Sequence, residues 1–156
     1  MTVGVLPPES TPFQSWGWIA PPTKFSSNGE ECILLVDDEP MIRTLGKIAL
    51  SQFGYHVLLA EDGLTALELL HAHHHQIDLV ILDMVMPGWS GSQTLKHLLE
   101  VEPSLQAMVS SGFSPDTFAE DQMQNILGFL KKPYRTSQLV HAVRLCLDEQ
   151  RTRRPF

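Results

Sequence analysis

Three short apolar runs, each ending in a charged group, constrain the fold of this chain more than any other feature. They are Ile33-Leu34-Leu35-Val36 before Asp37-Asp38, Leu79-Val80-Ile81-Leu82 before Asp83, and Phe129-Leu130 before Lys131-Lys132-Pro133. An unbroken apolar run of this length is the habit of a strand buried on both faces, as central strands of a parallel sheet are. Open parallel sheets gather ligands at the carboxyl ends of their strands. Neighbouring strands would therefore bring three carboxylates and a lysine to one edge. Crowded carboxylates repel one another unless something cationic sits among them. An all-oxygen donor set with this charge suits a hard ion such as Mg²⁺, which also favours phosphate oxygens, so the pattern points to phosphoryl chemistry.

Between these runs the pattern alternates. Ile42, Leu45, Ile48, Ala49 and Phe53 make a helical stripe stopped by Gly54, and His56 to Leu59 reads as a strand. Leu64, Leu67 and Leu70 lie on a second helix with Asp62 placed as its N-cap. Ser90 to Val101 forms the next helix, Gln106 to Ser110 a fourth strand, Pro115 to Gln124 a weaker helix and Gly128 to Lys131 a fifth strand. Thr136 to Asp148 closes the series as a helix burying Leu139, Val140, Val143 and Leu147. Five βα units imply an α/β fold with helices on both faces of a parallel sheet, doubly wound in 2-1-3-4-5 order like flavodoxin. The folded domain is expected over 30–149. Residues 1–29, with Pro7, Pro8, Pro12, Pro21 and Pro22, have linker or tail composition, although Phe13, Trp16 and Trp18 are unusual there. Residues 150–156 form a basic tail with Arg151, Arg153 and Arg154.

Composition removes several function classes. A net charge of −7 argues against direct nucleic-acid binding. No apolar stretch approaches a membrane span, and the N-terminus lacks the order of a secretion signal. Cys32 and Cys146 stand far apart inside apolar segments, so free buried thiols and a cytoplasmic location are expected. His71, His73, His74 and His75 could bring imidazoles together, but no cysteine or nearby spaced acid completes a metal set, and a solvated helix end accounts for them.

Four segments in order now carry a resemblance: Ile-Leu-Leu-Val-Asp-Asp-Glu-Pro (33–40), Asp-Leu-Val-Ile-Leu-Asp-Met-Val-Met-Pro-Gly-Trp-Ser-Gly (78–91), Ser-Ser-Gly-Phe-Ser (110–114) and Phe-Leu-Lys-Lys-Pro-Tyr (129–134). With them, residues 32 to 148 closely resemble a response-regulator receiver domain of two-component signalling. The resemblance implies that Asp83 accepts a phosphoryl group from a phosphohistidine of a histidine kinase or histidine phosphotransfer protein. It implies a Mg²⁺ ion held directly by Asp38, mainly through water by Asp37, and completed by the Asp83 carboxylate and the backbone carbonyl of Val85. It selects Lys132 rather than Lys131 as the lysine beside the acceptor; strand alternation lets only one of them reach the site. Pro133 falls where the family commonly has a cis peptide. Ser111 takes the hydroxyl position that binds the phosphoryl group, with Ser110 pointing elsewhere, and Phe129 takes the aromatic switch position. Glu39 is explained as well by a helix N-terminus as by the site.

Val85 and Phe113 flank the expected water path to the acyl phosphate and are apolar, so slow hydrolysis is expected. The same Val85 stands where an aspartate-nucleophile phosphatase of the haloacid-dehalogenase type needs a second acid, which disfavours turnover of external phosphate esters. A degenerate receiver serving only as a binding scaffold is disfavoured by the presence of Asp37, Asp38, Asp83, Ser111 and Lys132. The expectation is thus a phosphoprotein that is not an enzyme, switching contacts with an unidentified downstream protein. It would be either a stand-alone receiver or the terminal receiver of a hybrid histidine kinase. Dimerisation on phosphorylation would use the face around Phe118, Met123, Arg135 and Arg144, whose chemistry does not decide the matter.

Overall fold

In the computed structural model, which describes residues 31–112 and 120–153, strands and helices alternate along the chain. They run β1 (Cys32–Val36), α1 (Pro40–Ser51), β2 (His56–Ala60), α2 (Gly63–Ala72), β3 (Leu79–Asp83), α3 (Gly91–Val101), β4 (Ala107–Ser111), α4 (Glu120–Met123), β5 (Ile126–Lys131) and α5 (Thr136–Arg153). The five strands are parallel and ordered β2-β1-β3-β4-β5. The expected tail with Phe13, Trp16 and Trp18, and the positions of Phe113 and Phe118, lie outside the described residues.

Period-two alternation divides the strand side chains between two cores. Ile33, Leu35, Leu79, Ile81 and Met108 face one side, where Leu139, Val140, Val143 and Leu147 of α5 and Leu50 of α1 cover them. Leu34, Val36, Val80, Leu82, Ala107 and Val109 face the other, against Ala66 and Leu70 of α2 and Leu95 and Leu98 of α3. Burial on both faces is why β1 and β3 read as continuous apolar runs rather than alternating ones.

Local chemistry fixes the helix starts. The Asp62 carboxylate accepts the Thr65 N–H at 2.8 Å. Ser90 and Gln93 form a reciprocal capping box at the start of α3. Gly91 lets that helix begin directly beneath the end of β3: a Cβ there would stand 2.7 Å from the Asp83 carbonyl oxygen.

The helical stripe expected on α1 needs correction. Gly46 and Leu50 form its buried face, with Ala49 and Phe53 packed beside them. Leu45 and Ile48 instead lie 45% and 52% exposed, next to Met41 at 67%. The cause is Gly46, where an added Cβ would come within 2.6 Å of Leu35 Cδ2. The helix approaches the sheet through its glycine, which a search for large apolar residues does not register.

Several elements also differ in extent from expectation, β2 reaching Ala60 rather than Leu59. β4 reaches Ser111, β5 starts two residues earlier, and α5 continues to Arg153. Gln150 is buried and donates its side-chain amide to the Asp78 carbonyl at 2.8 Å, which holds that part of α5 against the domain. Arg144 does not contribute an open cation to the face between α4 and α5. Its guanidinium pairs with Glu31 and Asp148, each at 3.2 Å, and donates to the Tyr55 hydroxyl at 3.1 Å. Both cysteines are free thiols, and burial pushes the Cys146 thiol up to about 11. Among the described residues no helix is long and apolar enough to cross a membrane.

Candidate functional site

The carboxyl ends of β1, β3 and β5 meet as charged groups. Asp37 follows Val36, and Asp83 ends β3 on a strand hydrogen-bonded to β1. By alternation both acids fall on the side of Leu35 and Ile81, the side covered by α1 and α5. Both are almost fully buried, Asp37 at 1% and Asp83 at 4% exposed. Carboxylate oxygens of Asp37, Asp38 and Asp83 all lie within 4.8 Å of one another.

Lys132 enters from the next segment after β5. Its ammonium stands 2.9 Å from Asp37 Oδ2 and 3.3 Å from Asp83 Oδ2. Lys131 is exposed on the opposite alternation. The lysine backbone is anchored as well: its N–H donates to the Ser111 carbonyl at 2.9 Å. The Lys132–Pro133 peptide is cis. Asp37 is held on every side. Its Oδ1 accepts the Glu39 N–H at 3.0 Å, its N–H donates to Ala60 O at 3.1 Å, and its carbonyl accepts from Arg43 at 2.7 Å.

The electrostatics follow from crowding. Burial, then the Asp37 charge, pushes the Asp83 carboxyl up to about 6, despite the opposing ammonium of Lys132 and the Val85 N–H, which lies 3.4 Å from Oδ1. Burial alone would favour the neutral lysine, but the hydrogen bond and charge of Asp37 and the charge of Asp83 outweigh it. Lys132 is therefore held well above the usual lysine range. Tyr134 is pushed up to about 12, first by burial and then by the Asp37 charge.

Ser110 and Ser111 are both buried at the end of β4. Ser110 is the register partner of Asp83 and Ser111 that of Lys131. Ser111 shares its sheet face with Val109, whose register partner is Phe129, 44% exposed. Ser111 and Phe129 are thus on one face of adjoining strands, and Ser111, the last residue of β4, stands at the same carboxyl edge of the sheet as Asp83. Val85 is largely exposed in the loop after Asp83.

Two neighbours of the site, Arg43 and Tyr134, were not singled out in sequence, and a third, Glu39, was left undecided there. Arg43 lies one turn into α1, too far along the chain from Asp37 for a short motif to show the contact. Tyr134 directly follows the Lys-Lys-Pro segment. Glu39, given an equally good helix-end explanation, places its carboxylate 3.6 Å from Lys132.

The donors fit a hard divalent ion. They are oxygens only, they converge from two strand ends, and three carboxylates crowd around the single ammonium of Lys132. Asp37 has one oxygen on Lys132 and the other on a backbone N–H. Asp38 is more exposed than its two partners, and its side chain meets the solvent side of the cluster. The matching contacts of Asp83, to Lys132 and the Val85 N–H, are longer at 3.3 and 3.4 Å, so Asp38 and Asp83 are the better direct donors.

Comparison with known proteins agrees with this geometry. Residues 33–144 match the family described as "Response regulator receiver domain". The chain is 35% identical over 124 residues to the sensor kinase CckA of Brucella abortus, covering 79% of this chain and 13% of that kinase. The solved receiver domain of the hybrid histidine kinase CckA is 32% identical, with TM-score 0.64, over 74% of this chain and 98% of that one. A response regulator receiver domain protein from Clostridium thermocellum, 26% identical, superposes with TM-score 0.69 over 78% of this chain and 98% of that one. With its strand order, its acidic edge and these likenesses taken together, the chain belongs to the response-regulator receiver family of two-component signalling.

Proposed function

We propose that this receiver is the phosphoacceptor of a His-to-Asp phosphorelay, with Asp83 as the nucleophile. The observation that carries the reading is the Lys132 ammonium bridging Asp37 and Asp83 at 2.9 and 3.3 Å beside a third acid. Near neutral pH, above its titration at about 6, Asp83 is largely ionised and able to attack. A carboxylate oxygen forms the new bond to phosphorus while the bond from phosphorus to the donor imidazole nitrogen breaks. Lys132 then transfers its contact from the carboxylate to a phosphoryl oxygen.

Asp38, Asp83 and the Val85 carbonyl would hold Mg²⁺, with Asp37 acting through water. When bound, the ion offsets charge on the transferring group and on the acidic pair. Asp37 meanwhile keeps Lys132 in place, and the Glu39 N–H keeps Asp37 in place.

The phosphodonor, a histidine kinase or a phosphotransfer protein, docks over α1. Met41, Leu45 and Ile48 recur at i, i+4 and i+7 and leave an apolar stripe beginning beside the acidic edge. Ser111 receives the phosphoryl group by its hydroxyl, and Phe129 follows it inward. Their shared face of β4 and β5 supports this coupling, since a hydroxyl linked to Phe129 has to lie on Phe129's side. The exposed Phe129 is then the form before phosphorylation, and its burial alters the surface offered to a downstream protein or to a second copy.

Incubation with acetyl phosphate and Mg²⁺, followed by intact-protein mass measurement, tests the reading. One added phosphoryl group that needs Mg²⁺ and vanishes in Asp83→Asn is expected. No mass gain, or turnover of the donor without a labelled protein, would overturn it.

A further inference from the structure

A second convergence of ligating side chains stands at the other edge of the sheet. Helices α2 and α3 run antiparallel to their strands, so both end near the amino-terminal strand edge, away from Asp83. After Ala72, the last residue of α2, the chain turns through His73, His74 and His75 before β3. His75 has a φ of 67°, in the left-handed region that non-glycine residues rarely adopt. On a regular helix or strand, side chains of consecutive residues diverge. Here the His74 and His75 rings instead lie with centroids 3.8 Å apart.

Glu102 joins them from a different helix. It is the C-cap residue of α3, and its Oε1 is 3.4 Å from the His75 N–H, 27 residues away in sequence. One ring nitrogen from each histidine and one Glu102 carboxylate oxygen all lie within 4.8 Å of one another. The helix-end explanation suffices for imidazoles after α2, but it does not explain Glu102. A carboxylate at the C-terminus of α3 sits at the negative end of that helix's dipole, where it is disfavoured. The acid that meets these histidines is distant along the chain and adjacent in space.

We propose that His74, His75 and Glu102 form a transition-metal site of the Zn²⁺ class. Two imidazoles and a carboxylate are a donor set for zinc, nickel or copper, and unlike the all-oxygen edge they do not favour Mg²⁺. With metal–ligand bonds of about 2.0–2.1 Å, closure requires the donors to approach by roughly 1.5 Å, which exposed imidazoles achieve by side-chain rotation. Three protein donors leave a fourth position for water or for a donor from another molecule. Metal binding would clamp the loop after α2 to the end of α3.

The test is Zn²⁺ titration of the whole chain by calorimetry, with Mg²⁺ in large excess to occupy the acidic edge. Glu102→Gln, His75→Ala and a His71→Ala/His73→Ala control are compared with the unaltered protein. One Zn²⁺ per chain is expected, weakened about tenfold or more by Glu102→Gln and by His75→Ala, since even outer-shell partners of metal sites are worth 10–100-fold. Zn²⁺ should raise the melting temperature of the unaltered protein and of the control more than that of Glu102→Gln. Unchanged affinity in Glu102→Gln, or an equal loss in the control, would mean only adventitious binding to surface imidazoles and would overturn the proposal.

Discussion

Replacing Asp83 with asparagine should stabilise the metal-free protein, although it removes the residue on which the proposed activity depends. The folded carboxyl titrates near 6 against an ordinary value of 3.8, raised first by burial and then by Asp37. Each pKa unit corresponds to about 1.4 kcal/mol, so roughly two units set a ceiling of about 3 kcal/mol. Relaxation of the site reduces this, and about 1–3 kcal/mol is expected near neutral pH. The sign follows from proton uptake. Between the two pKa values the folded state binds more protons than the unfolded state, so stability falls as pH rises from 3.8 through about 6. Below the lower value both states are protonated and the advantage of the variant disappears. Urea unfolding of both proteins across this range, in the presence of a chelator, measures the difference directly. Saturating Mg²⁺ should then stabilise the unaltered protein more than the variant. A variant no more stable at neutral pH, or a difference that does not shrink on acidification, would refute the reasoning.

Lys132→Met should destabilise by about 3 kcal/mol near neutral pH, because it leaves two buried acids without their shared cation, and the loss should shrink on acidification in urea melts. Gly91→Ala forces a Cβ against the backbone of Asp83 and Met84, which cannot yield as a flexible side chain does, so about 2 kcal/mol of stability should be lost in the same melts. Val85→Asn introduces an amide beside the acceptor loop and should shorten the phosphorylated lifetime several-fold, read by loss of the added mass over time; an unaltered lifetime of only seconds would itself contradict slow hydrolysis. Ser111→Ala should slow phosphorylation more than Ser110→Ala, measured as labelling rates with acetyl phosphate.

The sheet was legible because its central strands advertise themselves. Ile33–Val36 and Leu79–Leu82 lie between two layers of helices, and burial on both faces leaves no polar interruption. Their charged ends then located the acidic edge; alternation allowed only one of Lys131 and Lys132 to reach it, and the resemblance to receiver domains picked Lys132. What escaped were contacts with no local signature. The inward face of α1 was misjudged at Leu45 and Ile48 because a glycine, not a large residue, marks its closest approach. Arg43 and Tyr134 reach the neighbourhood of Asp37 from α1 and from the segment before α5, and only the packed fold shows it. Glu102 meets His74 and His75 because two helices end at the same edge, a coincidence of topology that spacing along the chain does not encode.

The most direct measurement is the chemical location of the phosphoryl group. After phosphorylation with acetyl phosphate and Mg²⁺, borohydride reduction converts an aspartyl phosphate to homoserine, which peptide mass mapping assigns to a residue. Conversion confined to position 83 is the expected result. Conversion at Asp37 or Asp38, or a phosphate found instead on Ser111 or a histidine, would contradict the proposal that Asp83 is the nucleophile and that Asp37, Asp38 and Lys132 serve it.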